Sequence, residues 1–215
     1  MAPGRNATTM EPGRNTRQQL IEVAERLFAE RGIDAVSISE LLQAAGQRNK
    51  NAVQYHFGDR EGLVLAIAEH RSTALNARRA ELLAGAEERD TADVRALCAT
   101  LVLPLAELLD DEHNHFLGFL ARYHFDRSRR RLVSAVDPRV IASYRDAARL
   151  LRPVSGLPDA DFDVRFGLVL DMIFTALAGQ QAQERAGDSA AVAQRPRVVE
   201  NLIGCAIGSL TDAAG

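Results

Sequence analysis

The residues best suited to chemistry lie near the N-terminus, in one short polar run at positions 47–51 and in Gln54 just after it. Amide and basic side chains follow one another there, and the only lysine of the chain is among them. Such groups donate and accept hydrogen bonds at the edges of DNA bases. The side chains that offer base-edge contacts are Arg48, Asn49, Lys50, Asn51 and Gln54. The run predicts contact with a nucleic acid, although a solvated turn has a similar composition.

Groups suited to phosphate oxygens flank this run. Tyr55, His56 and Arg60 follow it, and their hydroxyl, imidazole and guanidinium groups can bond the DNA backbone. Ser37 precedes it at a predicted helix N-terminus, where the helix dipole favours an anion. The alternative is that Tyr55 and His56, like Phe57 beside them, pack as core beneath the next helix.

The elements that position these groups are predicted from capping residues and glycines. A first helix is expected from near Thr16, with a capping box between Thr16 and Gln19, and Gly32 ends it. A second, of about nine residues, starts near Ser37 and stops at Gly46. The capping box of this second helix joins Ser37 and Glu40.

A third element spans 52–57, and a long fourth helix follows. Gly58 ends the third element, and Asp59 caps the fourth helix. Two short helices joined by a glycine-containing turn, beside a longer first helix, are typical of a helix-turn-helix. Such a unit places its second short helix in the major groove of DNA.

Several blocks of residues in this region also occur in the order typical of one family. They are Ala24–Gly32, Ser37–Leu41, Ala45–Gly46, Tyr55–Phe57 and Asp59–Leu63. Through them, residues 16–63 resemble the DNA-binding domain of the tetracycline-repressor (TetR) family. The resemblance implies phosphate contacts by Ser37, Tyr55, His56 and Arg60. It also implies a dimeric repressor whose larger helical domain binds a small-molecule effector.

Two departures from the family pattern fall inside the DNA-reading segment. The stretch from Gly46 to Phe57 is one residue longer than usual, which alters the turn or the start of the third helix. Ala52 and Gln54 stand where the family often has Thr and Tyr. The base-reading assignments in this segment therefore depend on its conformation.

The rest of the chain is also helical in composition. Apolar residues make up 47% and aromatic residues 5%, and Ala, Leu, Arg and Glu, all good helix formers, dominate. Five further helices are expected at about 91–111, 113–133, 137–152, 159–186 and 190–212. The predicted fold is all-α, with a disordered basic arm at 1–15, a helix-turn-helix domain at 16–60, and a larger helical ligand-binding and dimerisation domain at 61–215.

The last two predicted helices are the most apolar pair, and we expect them to form a dimer interface. Two-fold symmetry doubles the contacts of a helix-turn-helix on a palindromic DNA site. The predicted interface residues are Phe166, Leu170, Ile173, Phe174, Leu177, Val199, Leu202, Ile203 and Ile207. Alternatively, both helices complete the core of a monomer.

The middle helices are expected to enclose a mostly apolar ligand pocket. Its predicted walls are Cys98, Phe116, Phe119, Leu120, Tyr123, Tyr144 and Met172. Aromatic rings with a polar tip suit a site with a few orienting hydrogen bonds, although each residue also fits a plain core. No cofactor is predicted, and the histidines at 113, 115 and 124 match no standard metal-ligand spacing.

Composition and motifs exclude several other classes. The net charge of −3 rules out a polycation, and no run approaches the roughly 20 apolar residues of a transmembrane helix. The N-terminus lacks the apolar stretch of a signal peptide, so a cytoplasmic protein is expected. No phosphate-binding glycine loop, nucleophile elbow or zinc-protease motif indicates an enzyme. The alternative is a helical small-molecule-binding protein or enzyme with a non-functional DNA-binding motif.

Overall fold

The computed structural model describes residues 12–87, 93–125, 138 and 140–211. Within those ranges the chain forms α-helices and no β-strand, which confirms the all-α prediction. The helices are α1 Pro12–Arg31, α2 Ile38–Ala44, α3 Ala52–Phe57, α4 Arg60–Glu87, α5 Val94–Ala106, α6 Phe116–Phe125, α7 Ala142–Ser155, α8 Asp159–Arg185 and α9 Ser189–Leu210. A 3₁₀ turn, Glu107–Asp110, follows α5. None of these helices is long and apolar enough to cross a membrane.

The first helix begins earlier than its sequence predicts. It starts at Pro12, so Thr16 lies inside the helix and the predicted capping box with Gln19 is wrong. Proline is well tolerated in a first helical turn, because its missing N–H has no partner there. Of the predicted disordered arm, residues 1–11 lie outside the described residues, and 12–15 are helical.

The predicted cap of α2 is confirmed. The Glu40 backbone N–H donates to Ser37 Oγ, and the Ser37 N–H donates to the Glu40 carboxylate at 2.8 Å. Hydrogen bonds from the Ser37 backbone and hydroxyl, and one from Arg31, lower the pKa of Glu40 to about 2. This carboxylate is therefore ionised at neutral pH, next to the N-terminus of α2.

Helices α1 to α4 enclose the first part of the core. Leu20, Ala24 and Phe28 on α1 are fully buried, as is Leu41 on α2. The chain turns between α3 and α4 at Gly58, whose φ of 81° is a left-handed conformation that glycine adopts without a steric penalty. The turn presents α3 at the edge of this unit.

Helices α5 to α9 form the larger part of the molecule around a second set of buried side chains. Leu101, Leu105, Leu117 and Phe162 are fully buried there. Cys98 on α5 belongs to this core, and burial raises its pKa to about 12, which keeps it a thiol.

Helix α6 joins the two parts by packing on α1. A Cβ placed on Gly118 of α6 would lie 3.1 Å from the Cβ of Ala29, so the two backbones approach closely because position 118 has no side chain. Glu25 of α1, which is 1% exposed, accepts hydrogen bonds from Arg71 of α4 and from the His115 N–H just before α6. A buried ion pair and a close helix contact thus tie the first unit to the second.

Candidate nucleic-acid interface and ligand cavity

One face of α3 and the loop before it is polar and open to solvent. Ala52 and Val53 point inward and are each 3% exposed, so the opposite side of the short helix faces solvent. The exposed side chains are Arg48, Asn49, Lys50, Asn51, Gln54 and Tyr55. Tyr55 is 81% exposed, and an aromatic ring so open to water points to a contact surface. The predicted base-reading residues therefore share one surface.

The residues before α3 form a loop. Helix α3 starts only at Ala52, so Arg48 to Asn51 lie in a loop and not on the helix. The Asn51 N–H donates to Asn49 Oδ1 at 3.0 Å, which orders the loop. Gln47 anchors its start by donating to Gln19 Oε1 of α1 at 3.1 Å. An ordered loop therefore leads into the short helix α3.

The aromatic residues at the end of α3 divide between surface and core. Phe57 is partly buried under the guanidinium of Arg17, 5.3 Å from the ring centroid, which agrees with its predicted packing. The rings of Tyr55 and His56 meet edge to face, with centroids 4.9 Å apart, and His56 keeps partial exposure. Tyr55 and His56 therefore remain available to a partner while Phe57 anchors the helix.

Ser37 and Arg60 make hydrogen bonds within the chain, and their phosphate contacts stay predictions. The Ser37 hydroxyl donates to the Glu40 carboxylate at 2.7 Å, and that negative charge opposes an approaching phosphate. Arg60 Nη1 donates to the carbonyls of Ile33 and Val36, at 2.5 and 2.6 Å. Arg60 thereby holds the loop between α1 and α2, a function that residue type alone does not reveal.

A cavity of about 270 Å³ lies between α4, α6, α7 and α8. That volume is close to the lower end of known small-molecule sites, about 300–1,000 Å³. Five of the predicted pocket residues line it: Phe116, Phe119, Leu120, Tyr123 and Tyr144. Phe116 and Phe119 stack with ring centroids 5.8 Å apart, and Tyr123 continues the stack at 6.1 Å. The wall is largely aromatic, as expected.

Two predicted pocket residues lie elsewhere. Cys98 is fully buried in the α5 core, where neighbouring helices cover it completely. Met172 lies in an outer groove between α8 and α9, beside Leu168 and Ser209. Both positions are apolar helical sites whose direction follows from how the helices are rotated, and the sequence does not specify that rotation.

The cavity also includes residues that the sequence does not single out. Asn76 of α4, His124 of α6 and Arg145 of α7 contribute polar groups, and Phe166, Leu170 and Phe174 of α8 close the apolar side. These three α8 residues are in the predicted dimer set, so the structure assigns their side chains to the cavity. The long α4 had no motif to mark Asn76 as a cavity residue.

Most of the remaining predicted interface residues point into the subunit. Ile173, Leu177, Leu202 and Ile203 are at most 6% exposed, and Val199 and Ile207 are partly buried against the core. These side chains form the core-facing sides of α8 and α9, and their part in a dimer interface stays a prediction. The apolar periodicity identified the inner face of each helix instead of the outer one.

The outer faces of α8 and α9 carry the exposed apolar and small residues. Val164 and Leu168 of α8 are 63% and 62% exposed. Helical spacing extends them into the α8 stripe, which comprises Val164, Leu168, Met172, Thr175 and Gly179. The α9 stripe comprises the exposed Asn201, Gly204, Cys205 and Gly208. An apolar stripe beside a stripe of small residues is a surface against which another helix can pack closely.

Comparison with known proteins confirms the family resemblance for the N-terminal part. Residues 20–67 match the family model described as "Bacterial regulatory proteins, tetR family". The HTH-type transcriptional repressor AcnR of Corynebacterium glutamicum is 43% identical over 54 residues, 25% of this chain and 28% of the repressor. The HTH-type transcriptional regulator TtgR of Pseudomonas putida is 30% identical over 95 residues, 44% of this chain and 43% of that protein. These matches thus span less than half the length of either relative.

Solved structures are similar over nearly the whole chain. NalD, the secondary repressor of the MexAB-OprM multidrug efflux pump in Pseudomonas aeruginosa, has a TM-score of 0.60 at 18% identity, covering 94% of this chain and 99% of that one. FadR from Bacillus subtilis, in complex with stearoyl-CoA, has a TM-score of 0.56 at 17% identity, covering 86% and 97%. The arrangement of the larger helical part is therefore shared as well, although its sequence has diverged.

Proposed function

We propose that this chain, a member of the tetR family of bacterial regulatory proteins by its residues 20–67, is a sequence-specific DNA-binding transcriptional regulator. The observation that carries the proposal is the exposed polar surface of α3 and its preceding loop, inside the segment that the family model matches. We further propose a repressor that a small, mostly apolar ligand releases from its operator. Its DNA partner places it in the cytoplasm.

DNA contact would divide between the loop and the helix. Lys50 and Arg48 on the loop carry the positive charges, and Gln54 on α3 carries an amide suited to adenine. Tyr55 and His56 lie at the far end of α3, where they suit backbone phosphates. Because α3 begins only at Ala52, these basic groups lie on the loop and not on the helix.

A homodimer is proposed through the α8 and α9 stripes. The two stripes lie side by side, and Arg165 Nη1 donates to the Ser209 carbonyl at 3.3 Å to hold the helices together. In a two-fold dimer they would form a four-helix interface, with the exposed Leu168 against the small residues of the partner. Two α3 helices would then be spaced about one DNA turn apart, near 34 Å.

Ligand and DNA sites would communicate through α6. Phe116 and Phe119 line the cavity on one side of this helix, and Gly118 contacts Ala29 of α1 on another. A ligand that displaces α6 therefore displaces α1 and, with it, the DNA-binding unit. The ligand must bind better to the displaced conformation, because otherwise the equilibrium does not shift.

Fluorescence anisotropy with DNA from upstream of the chain's own coding sequence tests the proposal. The expected result is nanomolar to micromolar binding whose log K falls linearly with log salt concentration, because basic groups displace counterions from phosphates. Unrelated DNA of equal length should bind more weakly at the same salt concentration. If no DNA binds even at low salt, the alternative remains: a helical small-molecule-binding protein or enzyme with a non-functional DNA-binding motif. The names of the relatives AcnR and TtgR, which are those of transcriptional regulators, favour DNA binding.

A further inference from the structure

A buried arginine lies directly behind one wall of the cavity. Arg79 of α4 is 0% exposed, and its guanidinium carbon is 3.7 Å from the ring centroid of Tyr144, which lines the cavity. Arginine is almost never fully buried unless it is paired. The position of this charge therefore needs an explanation.

The hydrogen bonds of Arg79 leave its charge uncompensated. Nε donates to the Thr100 carbonyl at 2.9 Å, and Nη1 donates to the Ser143 hydroxyl at 2.7 Å. Both acceptors are uncharged, and among the described residues the buried Nη2 has no hydrogen-bond partner. The Tyr144 ring offers its negative face, which compensates only part of the cost of burying a cation.

The network around Arg79 reaches the cavity surface. Ser143 Oγ accepts from Arg79 and donates to Asn76 Oδ1 at 2.5 Å, and Asn76 lines the cavity. Arg145 lines the same end, while no aspartate or glutamate is among the described residues of the wall. Among the described residues, two arginines thus lie at or behind the wall of a mostly apolar cavity, and the Asp171 carboxylate lies 3.4 Å from Nδ1 of the wall residue His124.

We propose that the cavity takes an amphipathic ligand with an aromatic or aliphatic body and one anionic group, such as a carboxylate or sulfonate. The body would lie against the stack of Phe116, Phe119 and Tyr123. The anionic group would lie at the Asn76–Tyr144 end, where a shift of the Tyr144 ring brings it to Nη2 of Arg79. Binding would thereby pair a charge that folding leaves unpaired. The ligand's role as an effector rests on the proposed function.

Two fluorescent probes with the same rings test the charge preference. Anilinonaphthalene sulfonate is an anion, and N-phenyl-1-naphthylamine is its neutral counterpart without the sulfonate. The neutral probe partitions better into apolar surroundings, so a purely apolar cavity would prefer it. We expect the full-length protein to bind the anionic probe at least tenfold more tightly, the ratio expected of one charge-assisted hydrogen bond. Equal affinities, or preference for the neutral probe, would overturn the proposal.

Variants assign the preference to Arg79. Arg79→Met should weaken the anionic probe about tenfold or more and change the neutral probe less than twofold. The matched control is Arg78→Met, which removes the same charge from the adjacent, exposed position and should change neither affinity beyond twofold. Arg79→Lys should retain part of the preference. If both probes weaken equally in a folded Arg79→Met protein, the arginine acts on packing alone and the proposal is wrong.

Two further measurements keep the proposal falsifiable. Ala148→Trp, which fills the cavity, should abolish binding of both probes, and retained anionic binding would place the site elsewhere. Should Arg79→Met fail to fold, the ratio of the two affinities in the unmodified protein still decides the question. A DNA titration of the same protein tests the proposed function separately. Failure to bind DNA would refute the proposed regulator, while the charge preference of the cavity could still be measured.

Discussion

Glu25 of α1 and Arg71 of α4 form an ion pair with two hydrogen bonds, from Arg71 Nε at 2.7 Å and Nη2 at 2.9 Å. The same carboxylate accepts from the His115 N–H at 3.0 Å. Its oxygens therefore bring together the first helix, the long α4 and the segment that begins α6. Because Glu25 is 1% exposed, these hydrogen-bond donors stabilise its negative charge where water would otherwise do so.

Replacing Glu25 by Ala should destabilise the protein by about 2–4 kcal/mol, since it leaves a partly buried arginine and a backbone N–H without their acceptor. Urea unfolding followed by circular dichroism measures the change. Glu22→Ala is the matched control, because Glu22 lies one turn earlier on α1 and is exposed. A control as damaging as Glu25→Ala would mean that the ion pair contributes little.

The contact between Gly118 and Ala29 should transmit changes between the cavity and the DNA-binding unit. Gly118→Val should cost about 1–3 kcal/mol and reduce DNA affinity, because the added side chain pushes α6 from α1. The double variant Gly118→Val with Ala29→Gly removes the obstructing Cβ and should recover part of both losses. The unmodified protein, the two single variants and the double variant form a double-mutant cycle, which is measured by unfolding and by anisotropy titration. Strictly additive effects would show that the two positions do not interact.

The sequence predicts the helices well, because their limits are set by local chemistry. Ser37 with Glu40 caps α2, and Gly58 ends α3, as their residue types indicate. The start of α1 differs from its prediction because Pro12, which suits a first helical turn, begins the helix one turn before Thr16.

Which face of each helix points inward is harder to predict. Ile173 and Leu168 both lie on α8 and both are apolar, yet one is fully buried and the other 62% exposed. Only the packing of the neighbouring helices against α8 distinguishes them. For the same reason the sequence indicates neither that Cys98 and Met172 lie outside the cavity nor that Arg79 lies behind its wall.

Substitutions of Lys50 and Arg60 should affect different properties, DNA affinity in the first case and stability in the second. Lys50→Ala should weaken specific DNA binding by about 1–3 kcal/mol if the amine reaches a base, with unfolding unchanged because the side chain is exposed. Arg60→Met should instead lower the free energy of unfolding by about 1–3 kcal/mol, because the carbonyls of Ile33 and Val36 lose their donor. If Lys50→Ala alters stability and leaves DNA affinity unchanged, the assignment is reversed.

The proposed dimer interface predicts different results for two substitutions on α8. Leu168→Asp should give a folded monomer, because it places a charge in the α8 stripe without disturbing the core. Ile173→Asp should unfold the chain, since that side chain is fully buried within the subunit. Sedimentation velocity and circular dichroism distinguish the two. A Leu168→Asp protein that still sediments as a dimer would exclude the stripe from the interface.

The cap of α2 predicts a specific acid sensitivity. The folded-state pKa of Glu40 is about 2, below the ordinary value of 4.5, so its stabilisation is present above pH 4.5 and is lost as pH falls towards 2. Glu40→Gln should therefore lose less stability over that interval than the unmodified protein. Thermal melting at a series of pH values gives both slopes, and parallel slopes would show that the carboxylate is not coupled to the fold.

Photocrosslinking from position 55 tests the DNA interface most directly. Tyr55 is replaced by p-benzoylphenylalanine, and the protein is irradiated with labelled DNA from upstream of its own gene. Val164, exposed on α8, serves as the matched position away from α3. We predict a covalent DNA adduct from position 55 that excess unlabelled specific DNA removes, and none from position 164. DNA that binds the protein and yet crosslinks at 164 and not at 55 would contradict the account.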